Sequence, residues 1–372
     1  MPHQPLSASR AVHATRIRWA GMALTLLLTP SLAWGQALRT FTVDDALRVR
    51  SLGVADVTDD ARWIAATVST AASRLGTDHF RYGDPTYIGP SSAEVMAMDA
   101  ETGESRSLFT EPVNVSGLTW SPDGARLAFL RYVDETVRLE VWDRAQGRVR
   151  AVRLRPQREL AWGGPLEWLP DGSGLLVGVR SPTWAADARA AYEALEYGPI
   201  VVQDASEPFL AWDAVRNRGS LMELAVVTVP EGAVRVLAPE AGYQDVRVGP
   251  QGDHITYTVA TPLKTSYTRN SGETEFEYFR QDLAEGAERV AILEKGDRRT
   301  RLTFSPDGTA FAWSDRGNIF LKGFDADSAR NLTEAFRKPL SESDSTKRSF
   351  SLERWHPDSM SLLLSAQDAV SY

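Results

Sequence analysis

The sequence predicts an all-β fold, a β-propeller of four-stranded antiparallel blades with a short helical insertion. Two observations carry that expectation. A turn motif recurs about six times along the 372 residues, and a second turn follows most copies, each between strand-like runs. The clearest copy is Trp120-Ser121-Pro122-Asp123-Gly124, followed by Arg126-Leu127-Ala128-Phe129. Phe304-Ser305-Pro306-Asp307-Gly308 and Trp168-Leu169-Pro170-Asp171-Gly172 come next. Weaker copies lie at Val248-Gly249-Pro250-Gln251-Gly252 and Trp355-His356-Pro357-Asp358, and an eroded one opens the series at Val57-Thr58-Asp59-Asp60.

The chemistry of the motif is conformational. Proline pre-sets φ at the second turn position, aspartate hydrogen-bonds nearby backbone, and glycine accepts the positive φ that closes the turn. Taking 58, 122, 170, 250, 306 and 357 as equivalent positions, the spacings are 64, 48, 80, 56 and 51. The short spacings suit one blade and the long ones a blade with an insertion. Second turns lie at Asp99–Gly103, Asp143–Gly147, Pro230–Gly232 and Asp325–Asp327. Two hairpins per unit make a four-stranded sheet that must stack on its neighbours to bury both faces. A β-sandwich with coincidental Ser-Pro-Asp-Gly turns is the competing reading, and three near-complete copies at one point of the unit weigh against it.

Ahead of the repeats, residues 1–35 read as a secretory signal peptide. Arg10, Arg16 and Arg18 precede an apolar stretch, Trp19 to Leu28, and a small-residue end, Ala33-Trp34-Gly35. The competing reading is a membrane anchor, but the apolar stretch is far shorter than the ~20 residues needed to span. The expected location is therefore exported, periplasmic or secreted, with no membrane attachment after cleavage. Cleavage would leave 38 basic against 49 acidic residues, a net charge of −11. The propeller is expected over 36–372, with a helical insertion at about 183–219 and a second insertion at about 264–286. Trp184 to Leu195 is rich in Ala and Glu, and Gly198-Pro199 stops it. Lys264 to Gly286 reads as either a long hairpin or a loop, and Arg337 to Ser349 as an exposed loop.

Composition excludes several chemistries. The net charge of −8 and the lack of any long basic run argue against nucleic acid as a partner. Zero Cys removes disulfides, thiolate nucleophiles and Cys-ligated zinc, and having only five His argues against a histidine-built metal site. No G-x-S-x-G elbow, H-E-x-x-H or phosphate-cradling glycine loop occurs, so no catalytic residue, cofactor or metal is assigned. His254 and His356 sit in or beside blade turns and read as turn residues. The Trp and Phe before the turns read as packing between blades, with carbohydrate platforms as the alternative. Glu193 and Glu196, at i and i+3 on the inserted helix, are the candidate substrate-binding residues. Carboxylates there could hold a ligand amine, and a plain solvated helix face is the other reading.

The repeated Trp/Phe-Ser-Pro-Asp-Gly turn followed by Leu/Phe-Ala-Phe/Trp resembles the Tol-type propeller repeat. With the insertions and the leader, residues 40–372 look most like the propeller half of prolyl oligopeptidase-family serine peptidases, including the dipeptidyl peptidase branch. Asn318-Ile319-Phe320-Leu321-Lys322 leading to Asn331-Leu332-Thr333 is similar in style. The resemblance implies a propeller that caps an active site and admits short peptides to a following α/β-hydrolase domain. That domain is absent from this sequence, so the chain is expected to be an inactive fragment with an incomplete ring. In the dipeptidyl branch, paired glutamates on a propeller insertion hold the substrate amine, and Glu193 and Glu196 lie in a comparable excursion. The alternative is a non-enzymatic Tol-like exported propeller that binds another protein; a propeller lyase is a third.

Overall fold

The computed structural model describes residues 40–204, 206–265, 272–336 and 348–367. The expected signal peptide lies outside the described residues, as do 337–347 of the expected exposed loop and the tip of the second insertion. Among the described residues no helix is long and apolar enough to cross a membrane.

Among the described residues six antiparallel sheets follow one another along the chain, and the expected propeller architecture is borne out. Sheet I comprises Arg50–Val57, Trp63–Thr70, Ser92–Asp99 and Ser105–Ser107; sheet II comprises Val113–Trp120, Arg126–Val133, Thr136–Asp143 and Arg148–Val152. A two-residue pairing of Ser92 and Ala93 with Asn114 and Val113 joins them. In sheet III the first strand is split into Glu159–Leu160 and Leu166–Trp168, ahead of Gly174–Arg180, Met222–Thr228 and Val234–Ala241. Sheet IV holds Tyr243–Val248, His254–Lys264, Glu273–Asp282 and Arg289–Gly296. Sheet V holds Thr303–Phe304, Ala310–Asp315, Asn318–Gly323 and Arg330–Asn331, and sheet VI holds Ser349–Trp355 and Leu362–Gln367. Among the described residues three α-helices accompany the sheets: α1 (Val43–Arg48), α2 (Trp184–Glu196) and α3 (Ala211–Asn217).

Every copy of the motif joins the first and second strands of its sheet, and every second turn joins the third and fourth. The turn is a hydrogen-bond relay. The Ser121 hydroxyl donates to Asp123 (2.5 Å) and accepts from the Arg126 N–H (2.9 Å), while Asp123 accepts from the Ala125 N–H (3.0 Å). Ser305, Asp307, Thr309 and Ala310 repeat it, as do Thr58, Asp60, Arg62 and Trp63. The bonds therefore set Thr58, not Val57, opposite Ser121. Asp59 is the counterpart of Pro122, and the first spacing is 63 rather than 64.

Those bonds hold the turn carboxylates below their ordinary pKa. The Thr58 hydroxyl does so at Asp60, the Ser121 hydroxyl at Asp123, the Ser305 hydroxyl at Asp307, and the Ser173 N–H at Asp171. A carboxylate whose folded pKa is depressed contributes stability above its unfolded value and loses it as pH falls through the folded one. The melting temperature is expected to decline as pH drops below about 4, the unfolded Asp value. An Asp123→Asn/Asp307→Asn double variant should show a shallower decline between pH 5 and 3. An unchanged slope in the variant would exclude the turns as its source.

The core is built between sheets, because alternate residues of a strand face opposite sides. Leu127 and Phe129 pack with Ala65 and Ala97 of sheet I, whereas Ala128 and Leu130 pack with Leu175, Val177 and Val179 of sheet III. Leu176 turns the other way, to Ile255 and Tyr257 of sheet IV, and Tyr278 and Ile292 meet Phe311 and Trp313 of sheet V. Gly174–Arg180, covered on both faces, is buried at all seven positions. The Trp residues before the turns belong to these interfaces. The Trp168 indole donates to the Thr119 carbonyl of sheet II (3.1 Å), and Trp355 donates to Thr303 of sheet V (2.9 Å). At the two ends of the series apolar faces stay exposed, Leu52 and Val54 at 61% and 62% in sheet I and Leu363 at 52% in sheet VI.

Candidate functional site

The connections between second and third strands leave the sheets at the end where the inner strands begin, opposite the motif turns. Two of them are long. Sheet I carries 71–91 and sheet III carries 181–221. The first went unanticipated, because its polar and aromatic run has no helical or alternating period. In sheet IV the insertion is a hairpin rather than a loop: its strands pair from His254↔Asp282 to Pro262↔Thr274 and, after a slip in register, at Lys264↔Glu273.

Asp84 knots the sheet I excursion. Its buried carboxylate accepts both Arg81 Nε (2.8 Å) and Nη2 (2.7 Å), with the Thr86 N–H (2.8 Å) and hydroxyl (2.7 Å). Burial pushes its pKa up, but the bonds from Thr86 and Arg81 outweigh that and hold it below the usual range. Arg81 also lies over the Tyr87 ring at 4.7 Å, and the Tyr87 hydroxyl accepts the Asp78 N–H at 2.6 Å.

The sheet III excursion is rooted on Arg180, the last residue of its second strand. The buried guanidinium donates to the Leu221 carbonyl (2.9 Å) and to the Gly219 carbonyl, and stacks on Trp184 at 3.7 Å. It thus ties together the two ends of a detour of roughly 40 residues, 181–221. Burial lowers its pKa to about 10, while Glu159 and Glu240 oppose the shift. Glu159 accepts the Ala185 N–H (3.2 Å) at the start of α2, where an anion complements the helix dipole. Burial raises its carboxyl above the ordinary range.

The two excursions meet. Ala188 and Tyr192, one turn apart, form the buried face of α2. The Tyr192 hydroxyl donates to the Phe80 carbonyl (2.8 Å), and its ring stands edge-on to Trp212 at 5.5 Å. Arg216 of α3 lies over Tyr82 at 5.2 Å. On the other side, the Pro208 carbonyl accepts the Thr265 N–H of sheet IV (2.8 Å). The excursion of sheet III therefore reaches from sheet I to sheet IV. The canopy it forms keeps Phe80, Ile200 and Val202 at least 90% exposed.

Glu193 and Glu196 lie on the outer face of α2, both exposed. Glu193 accepts Arg189 Nε at 2.9 Å, and Glu196 is the main cause of the raised pKa of the Tyr197 phenol. The helix brings the two carboxylates to one face, and among the described residues no third His, Asp or Glu joins them. His254 is buried beside the sheet IV turn with Nδ1 2.7 Å from Asp253, and His356 takes the Asp358 N–H in the sheet VI turn. Among the described residues no group of three or more His, Asp or Glu is placed to hold a metal ion.

Along the axis the inner strands of sheets I–IV line a channel of about 720 Å³. Their registers slip at Val54/Asp56, Ser116/Thr119 and Gln244/Arg247, turning polar side chains inward. Asp56 accepts the Trp120 N–H (2.6 Å) and Glu167 accepts the Val248 N–H (3.2 Å), each binding the next sheet. Burial raises the Glu167 pKa. Asp245, at φ +49°, takes a two-pronged bond from Arg299, one arm at 2.9 Å.

No family model matches the chain, and no curated protein sequence does. Solved structures to which it is similar are propellers. The β-propeller domain of the Trilobed protease from Pyrococcus furiosus is 11% identical, with a TM-score of 0.44 over 87% of this chain and 82% of that one. A puromycin-hydrolyzing peptidase from Mycobacterium tuberculosis is 14% identical, with a TM-score of 0.49 over 86% of this chain. TolB from Acinetobacter baumannii is 14% identical, with a TM-score of 0.39 over 86% of this chain and 77% of that one. The chain spans 46% of the puromycin-hydrolyzing peptidase.

Proposed function

We propose that this chain is the peptide-binding and gating propeller of an exported serine peptidase, its hydrolase domain encoded outside this sequence. The carrying observation is the canopy. Excursions from sheets I and III converge through the Tyr192–Phe80 bond at the end of the inner strands, beside a channel lined with hydrogen-bonding groups. Loops mounted on a rigid scaffold are where binding groups concentrate. In this reading short peptides pass the canopy, folded proteins do not, and Glu193 and Glu196 hold the peptide amine.

The test is fluorescence anisotropy with labelled tri- to pentapeptides. Peptides with a free amino terminus should bind, and N-acetylated versions should bind about tenfold more weakly, the loss of one charge-assisted contact. Glu193→Gln/Glu196→Gln should erase that difference. Equal affinity of the variant and wild type for free-amine peptides would remove the two glutamates from the site. If no peptide binds, the gating reading falls. Exposed Phe80, Ile200 and Val202 favour a second reading, a protein-binding scaffold.

A further inference from the structure

The chain is acidic overall, yet three arginines converge where sheets IV and V meet. Arg247 lies on the inner strand of sheet IV, and Arg299 and Arg301 lie on the segment leading into sheet V. Asp245 is committed to Arg299 through its two-pronged bond. The side chains of Arg247 and Arg301 make no ion pair or hydrogen bond among the described residues, although Glu167 exerts a longer-range attraction on Arg247. Both line a cavity of about 350 Å³ between sheets IV and V. That volume falls at the small end of ordinary ligand pockets.

The remaining wall has the groups an oxyanion needs. Thr256 is 3% exposed, and its hydroxyl has no partner among the described residues. His254 turns Nδ1 to Asp253 at 2.7 Å, which leaves its other ring nitrogen without a bond there. Phe304 and Phe324, stacked at 6.2 Å, supply an apolar side. Asp245 and Arg247 also line the channel, so the cavity adjoins it. Guanidinium groups form two parallel bonds to carboxylate or phosphate oxygens, and a free hydroxyl donates a third.

We propose that the cleft between sheets IV and V is an anion-binding site, in which Arg247 and Arg301 grip the carboxylate or phosphate of a small molecule. The assignment stands apart from the peptide reading and does not involve the canopy. Its test is calorimetric titration of the purified chain with inorganic phosphate, acetate and benzoate. One saturable site is expected, weakened at least about tenfold by Arg301→Gln and lost in Arg247→Gln/Arg301→Gln. Raising the salt concentration should weaken it too. Binding of phosphate alone assigns the site to phosphate esters, and binding of benzoate alone assigns it to carboxylates with an apolar body. Absence of binding by all three probes overturns the proposal. So does undiminished binding by the double variant. Arg301 is exposed, so its single substitution leaves the core untouched, and a matching thermal melt verifies that. Retained binding in Glu193→Gln/Glu196→Gln separates this site from the canopy.

Discussion

Replacing Arg180 with methionine is expected to release the canopy from the sheets while leaving the sheets folded. The guanidinium holds the carbonyls of Leu221 and Gly219 and lies against Trp184, so one side chain joins both ends of the 181–221 excursion. Methionine fills much of the volume but donates nothing. Two half-buried carbonyls would lose their partners, at about 1 kcal/mol each, and Glu159 would lose a neighbouring cation. The cost falls on the excursion, because Gly174–Val179 keeps its pairing with Met222–Thr228. Limited proteolysis should therefore cut the variant faster between α2 and α3, with far-ultraviolet circular dichroism unchanged. Unaltered cleavage would show that the Tyr192–Phe80 contact and the Pro208–Thr265 bond suffice to hold the canopy. Arg180→Lys should recover only part of the protection, since an ammonium cannot present the planar fork.

Substituting alanine for Gly232 is expected to be the most damaging small change in the chain. Gly232 sits at φ +76° in the turn between the third and fourth strands of sheet III. A Cβ there would stand 1.9 Å from the Arg153 carbonyl oxygen and 2.8 Å from its carbon, both backbone atoms with no rotamer to change. The Gly232 carbonyl also accepts the Arg155 N–H at 2.7 Å, so the two segments cannot part without losing that bond. Positive φ alone costs an alanine about 1–2 kcal/mol. With the collision, a loss of at least about 3 kcal/mol is expected, near the upper end for single substitutions. Gly286→Ala isolates the conformational part: it shares the positive φ, at +73°, but its Cβ would meet nothing within 4 Å. Urea unfolding of both variants should place Gly286→Ala well above Gly232→Ala in stability. Equal stabilities would mean the Arg153 backbone shifts freely.

The blades were legible because their chemistry is local. Ser121, Asp123 and Arg126 complete their relay within five residues, so the motif could be read without knowing what packs on it. The inserted helix was legible for the same reason, and its expected stop at Gly198-Pro199 agrees with α2 ending at Glu196. The canopy was not. The Tyr192–Phe80 bond joins residues 112 positions apart, and the excursion at 71–91 has no periodicity that marks it. Glu193 and Glu196 drew notice through their spacing, whereas Arg180, which roots the whole excursion, looks like the end of an ordinary strand. The paired arginines of the cleft were also hidden, since Arg247 lies in sheet IV and Arg301 on the segment leading into sheet V, 54 positions further on.

By itself the sequence determined the repeating unit: its turns, its alternation of apolar residues and, of the two long interruptions that form the canopy, the helical one in sheet III. Those follow from backbone sterics and from hydrogen bonds between residues a few positions apart, which any folded context preserves. Only the tertiary structure decided which interruptions meet, which strand ends carry the channel, and which charged groups lack a partner. Those depend on how successive sheets stack, because stacking sets distances between residues whose separation along the chain carries no information about their separation in space.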